Sequence, residues 1–141
     1  MNRQRSRQTR RDRGAVAVEF AILLPVLLLI LFGIIDFGRA LNAQIALTQA
    51  AREGARIDAL NQPNLVTRTK AAAAGLGSAV SVTEVYPCQP GDGSKNADAN
   101  VQTSYLFHFI TPVGAVAGLF GGSGLGAPIL LTAQGVMPCE T

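Results

Sequence analysis

The chain has 141 residues, 48% of them apolar and 15% charged, which suffices for one modest core and no more. Its net charge of +3 is unevenly placed: Arg3, Arg5, Arg7, Arg10, Arg11 and Arg13 against Asp12 give the first fourteen residues +5, while from Ala15 onward six bases meet eight acids. The basic character belongs to a tail, which argues against a nucleic-acid-binding surface on the rest and suits the tail to anionic lipid.

Ala15 to Ile35 is apolar except for Glu19, and as a helix it is about 31 Å long, close to the hydrocarbon thickness of a bilayer. A secretory signal has a shorter apolar core and a small-residue cleavage site, whereas this run passes straight into a further helical pattern. A transmembrane helix is expected, with the arginine-rich flank in the cytoplasm and everything beyond residue 40 outside it. The competing arrangement, a buried core helix, lacks enough apolar surface in the remaining hundred residues to surround it. An acid at the centre of such a span costs about 3 kcal/mol and less near an end. Glu19 either snorkels to the headgroups with Arg13 as partner or has a role of its own. Pro25 frees the carbonyl of Ala21 and predicts a bend or a softened turn. Gly33 and Gly38 are five apart and form no GxxxG motif.

Asp36 and Arg39 are spaced to pair at the exit from lipid. Ala43, Leu47, Ala50, Gly54 and Ile57 then follow at 4, 3, 4, 3 spacing, a narrow stripe of mostly small residues, with Asn42, Gln49, Glu53 and Arg56 on another side. The stripe packs on the chain's own domain or on another subunit. No breaker separates it from the span, so one helix from about Ala15 to Leu60 is expected. It ends at "NQPN", where Pro63 disfavours helix for Gln62. Asn64 or Thr67 caps a short second helix that runs to Gly75.

Gly14, four small or apolar residues, then Glu19 and Phe20, all behind a basic leader, resemble the class III signal of type IV pilin-like proteins. More narrowly, "RGAVAVEFAILLPVLLLILFGIIDFGRAL" with "AAREGAR" at residues 50 to 56 looks like the TadE-like family of Flp (tight adherence) pilus assembly pseudopilins, over about residues 13 to 57. The resemblance implies a bitopic inner-membrane precursor cut by a prepilin peptidase between Gly14 and Ala15. It implies a mature chain whose fifth residue, Glu19, pairs with the free amino group of an adjoining subunit. Other pilin or pseudopilin subunits and the assembly machinery are the implied partners. No enzymatic activity comes with it.

In the C-terminal half, residues 79 to 88 alternate Val80, Val82 and Val85 loosely, and residues 100 to 112 alternate Val101, Thr103, Tyr105, Phe107 and Phe109 cleanly; both read as strands. "QPGDGSKNADAN" between them reads as an exposed loop, and residues 128 to 139 are a third strand candidate. The stretch 113 to 127 carries six glycines between Pro112 and Pro128, which predicts an apolar loop or short helix on the sheet. An extracytoplasmic Cys88 and Cys139 would form a disulfide at the ends of the first and third strands, worth about 4 kcal/mol in the chain-entropy model; two reduced buried thiols are the other arrangement. His108 reads as a solvent-facing strand residue opposite Phe107 and Phe109, and Asp92 and Asp98 as solvated turn residues. No metal site or cofactor is expected.

The expected fold is α+β and pilin-like: a long N-terminal helix, first transmembrane and then amphipathic, packed on a small antiparallel sheet. Its expected organisation is a leader at 1–14, a span at 15–36, a helical continuation at 37–62 and a head at 63–141. The functional expectation is a membrane-anchored pseudopilin, kept in the inner membrane or built into a pilus. The rival is an uncleaved single-pass protein whose head binds a ligand or envelope partner.

Overall fold

The computed structural model describes residues 5–88, 98–118, 121 and 126–139, with the side chains of 5–13, 113, 116 and 117 outside the description. In chain order these form helix α1 (Arg5–Ala59), helix α2 (Leu65–Ala72), a 3-10 segment (Ala74–Ala79), strand β1 (Ser81–Tyr86), strand β2 (Asp98–Phe107), helix α3 (Val113–Gly118) and strand β3 (Ile129–Pro138). The fold is α+β, with the long helix packed on a three-stranded antiparallel sheet of order β1-β2-β3. Two compact units arise: Met1–Asp36 with Phe109–Gly126, and Phe37–His108 with Ala127–Thr141.

Helix α1 starts ten residues before the expected Ala15, at Arg5, because the arginines and glutamines of the leader are good helix formers and no proline intervenes. It stays helical through Pro25. Its end is a Schellman arrangement. The Asn61 N–H donates to the Asp58 carbonyl and the Gln62 N–H to the Ile57 carbonyl, both at 2.9 Å, while Asn61 takes a left-handed φ of 49°. Asn64 does precede α2, but its side chain makes no capping bond; at φ 65° it offers its carbonyl to the Arg68 N–H at 3.0 Å. Helix α2 stops at Ala72, short of Gly75, and the chain tightens into the 3-10 segment.

The core of the second unit lies between α1 and the sheet. Ala43, Leu47, Ala50, Gly54 and Ile57 are all buried, as are Ala51, Ala55 and Ala59, so the buried face is wider than the narrow stripe read from spacing. Small side chains let the helix and sheet backbones come close. A Cβ on Gly135 of β3 would lie 2.2 Å from the Ala51 carbonyl oxygen, and one on Gly54 would lie 2.8 Å from Thr69 Oγ1 and 2.9 Å from Val101 Cγ1. Polar links accompany this approach: Thr103 donates its hydroxyl to the Leu47 carbonyl at 3.1 Å, and the Gln44 amide donates to the Thr132 carbonyl at 2.8 Å. Thr69 is fully buried and its Oγ1 has no hydrogen-bond partner among the described residues.

Strand β2 is central and buries alternate residues Ala99, Val101, Thr103 and Phe107. It begins two residues before the expected position 100 and ends at Phe107, so Phe109 and His108 lie past the strand. Strands β1 and β3 are also shorter than the expected 79–88 and 128–139. In β1, Glu84 pairs with Val101 and Tyr86 with the adjacent Asn100, which leaves Val85 as the extra residue of a bulge. The loose spacing of Val80, Val82 and Val85 is its trace in the sequence. The expected loop is narrower than 89–100, since Asp98 already pairs with Pro138; residues 89–97, Asp92 among them, lie outside the described residues. The glycine-rich stretch forms a short helix over Val113–Gly118, in the same compact unit as the apolar helix.

Two substitutions probe this packing in opposite senses. Gly135→Ala drives a methyl into helix backbone that cannot swing aside, and a loss of about 3 kcal/mol is expected. Thr69→Val replaces an unpaired buried hydroxyl with a methyl of the same shape, and a gain of about 1 kcal/mol is expected. Thermal unfolding of the full chain in detergent, followed by circular dichroism, measures both.

Candidate functional site

Three places on α1 carry the candidate side chains. At the first, Gly14, Ala15, Glu19 and Phe20 are exposed positions of one continuous helix. A Cβ on Gly14 meets nothing within 4 Å, so packing does not demand glycine there. Among the described residues Glu19 has no hydrogen-bond or ion-pair partner; the side chain of Arg13, its expected partner, lies outside the description. From Gly14 onward the helix is long and apolar enough to cross a membrane. Its most apolar window has a mean hydropathy of 2.8, and none of that window is buried. Val16, Ile22, Leu27 and Ile34 are each more than half exposed, so no protein core surrounds this stretch.

The second place is Asp36, the last residue of the apolar unit and only 2% exposed. Its carboxylate accepts the Ile110 N–H at 3.3 Å, the Thr111 N–H at 3.4 Å and the Thr111 hydroxyl. Arg39, spaced in sequence to pair with Asp36, has its guanidinium 5.2 Å from the Phe107 ring centroid and donates to the His108 carbonyl at 3.5 Å; both Asp36 and Arg39 have further partners besides these. Nothing in sequence spacing pointed from Asp36 to Thr111, which lies seventy-five positions away.

The third is the C-terminal end of α1. Glu53 and Arg56 form a two-pronged ion pair at 2.9 Å, with Arg68 within 3.9 Å of the same carboxylate. The Arg56 hydrogen bond holds the Glu53 carboxyl below its usual range. Asp58 accepts the Cys88 N–H at 3.3 Å; burial pushes its carboxyl up, and that hydrogen bond offsets part of the rise. Cys88 and Cys139 are disulfide-bonded across a sequence separation of 51, joining the ends of the two edge strands. Beside the bridge a half-open cleft of about 350 Å³ is lined by Arg56, Ala59, Leu60, Met137, Pro138 and Cys139. Among the described residues that line it there is no nucleophile or general base. His108, exposed, hydrogen-bonds the Leu106 carbonyl through Nδ1 at 3.1 Å. Among the described residues no group of three or more His, Cys, Asp and Glu is placed to hold a metal ion.

Among the described residues, these features define one membrane-competent helix near the N-terminus that continues into a disulfide-closed α+β unit. Residues 14–56 match the family model of TadE-like protein, the family that the Gly14–Phe20 junction and the Ala-Arg-Glu-Gly-Ala-Arg run resemble. No curated protein and no solved structure shows a match.

The two carboxyls at the end of α1 make opposite contributions to pH dependence. Asp58 binds its proton more tightly when folded, so its contribution falls as pH rises from its ordinary value near 3.8 through the raised one. Glu53 contributes above its ordinary 4.5 and loses that as pH falls through its depressed value, a small effect because the pair is solvent-screened. Asp58→Asn is therefore expected to raise the melting temperature near neutral pH relative to wild type and to leave it little changed in acid. Melting curves of both proteins across that range measure it.

Proposed function

We infer that this is a structural subunit of the tight-adherence pilus system, a membrane-anchored TadE-like pseudopilin whose leader a prepilin peptidase removes between Gly14 and Ala15. The observation that carries the reading is the coincidence of the family match, which begins at residue 14, with an exposed glycine that no packing contact requires. A glycine in a helix interior costs about 1 kcal/mol relative to alanine, and here the fold gains nothing in return. Glycine lowers the cost of unwinding the helix locally at the junction, and a peptidase needs local unwinding to reach the scissile bond.

Cleavage turns Ala15 into a free amino terminus with Glu19 one helical turn away. A carboxylate exposed on a lipid-facing helix favours a cationic partner from another chain, and the new amino group of a neighbouring subunit supplies one. The arginine leader stays on the cytoplasmic side of the inner membrane, and the disulfide-bonded unit lies outside the cytoplasm, where an oxidising environment keeps Cys88 and Cys139 joined. On this reading the domains run as leader 1–14, span 15–36, helical continuation 37–62 and head 63–141. No enzymatic role enters.

The rival is an uncleaved anchor, favoured by the unbroken passage of α1 through Gly14. Gly14→Leu separates the two, because it fills open space and leaves the fold intact. In cells holding the peptidase, the wild-type chain is expected to begin at Ala15 by intact-mass spectrometry and Gly14→Leu to accumulate with its leader attached. A wild-type chain that keeps its leader refutes the pseudopilin reading.

A further inference from the structure

The part of the chain that the pilus reading leaves unused is the segment after β2. No aspartate, glutamate, lysine or arginine stands between Asp98 and Glu140. Within that uncharged stretch, residues 109–126 belong to the same compact unit as the apolar helix. Ile110 is 67% exposed, as Ile34 is at 65% at the end of the apolar run. The irregular backbone at Ile110 and Thr111 is the kind that lipid penalises most, since an N–H without a partner costs several kcal/mol away from water. Both N–H groups and the Thr111 hydroxyl are satisfied by the buried carboxylate of Asp36.

We propose that Ile110 to Gly118, including α3, is a second membrane-contacting element, seated in the leaflet where α1 leaves the bilayer and anchored there by Asp36. The proposal rests on the reading of α1 as a membrane span. The occupant of this apolar surface is lipid, because the segment is hydrogen-bonded to the last residue of the span and shares its unit. Asp36 at the exit then serves to close the hydrogen bonds of a segment that lies where water is scarce. Pro112 and Gly118 bound a helix far too short to span, which suits an element that lies in the interface and does not cross it.

The absence of tryptophan from the chain makes the test direct. Three single-tryptophan variants, Ile110→Trp, Leu27→Trp and Leu130→Trp, are made in the full chain and reconstituted in phosphatidylcholine–phosphatidylglycerol vesicles with or without brominated acyl chains. Leu130, exposed on β3, is the control for the sheet. The expected result is loss of emission in brominated lipid at positions 110 and 27 and none at 130. Quenching at 27 without quenching at 110 overturns the proposal and leaves the span intact; quenching at none of the three overturns the span and the proposal with it. Quenching at all three overturns a selective anchor, since the sheet then lies on lipid as well. Adding Asp36→Ala to the Ile110→Trp and Leu27→Trp chains is expected to abolish quenching at 110 and keep it at 27. Retention at 110 overturns the role of Asp36. Should Asp36→Ala fail to fold, Thr111→Val removes one of the three donors, and reduced quenching at 110 is the expected result, with unchanged quenching counting against the anchor.

Discussion

The folded unit depends on one close approach, the backbone of β3 at Gly135 against the backbone of α1 at Ala51. Backbones this near leave no room for a Cβ on the strand and little for side chains on the helix, so Ala50, Ala51, Gly54 and Ala55 occupy the face that meets the sheet. Larger groups, Leu47, Ile57, Val101 and Phe107, fill the remaining space in the core. Close backbones also bring carbonyls within reach of side chains, and Thr103 and Gln44 supply the hydrogen bonds that link helix to strand. The orphaned hydroxyl of Thr69, pressed beside Gly54, shows how little slack the arrangement has.

The same helix serves two environments. Up to Asp36 most of its large apolar side chains are exposed, while from Ala43 its small residues are buried against strands. Exposed leucine, isoleucine and valine on this scale are costly in water and ordinary in hydrocarbon. Asp36 stands at the change, and its carboxylate is committed to the backbone of a segment far along the chain. The membrane-competent helix and the residues that follow β2 are therefore chemically coupled, not merely consecutive parts of one chain.

Much of this was legible in the residues. The apolar run, the 4, 3 spacing from Ala43 to Ile57 and the alternation from Val101 to Phe107 reflect local periodicity, and the elements they imply are present. The boundaries were less legible. The leader continues the helix because arginine and glutamine favour it as much as the apolar run does, and β2 gains Asp98 and Ala99 because pairing with Pro138 and Met137 outweighs their turn-like composition. The second row of the buried face, Ala51, Ala55 and Ala59, was hidden because alanine reads as neutral on either side of a helix.

The sequence by itself determined the chemical partition of the chain: a basic tail, an apolar run long enough to span a bilayer, an amphipathic continuation, and strands with two cysteines at their ends. Periodicity and charge are local quantities, and a single chain displays them without reference to its fold. Only the tertiary structure decided that Asp36 meets Ile110 and Thr111, that Asp58 meets Cys88, and that Gly135 must lack a side chain. Those contacts join residues tens of positions apart, and their selection follows from how closely helix and sheet can approach, which no spacing along the chain records.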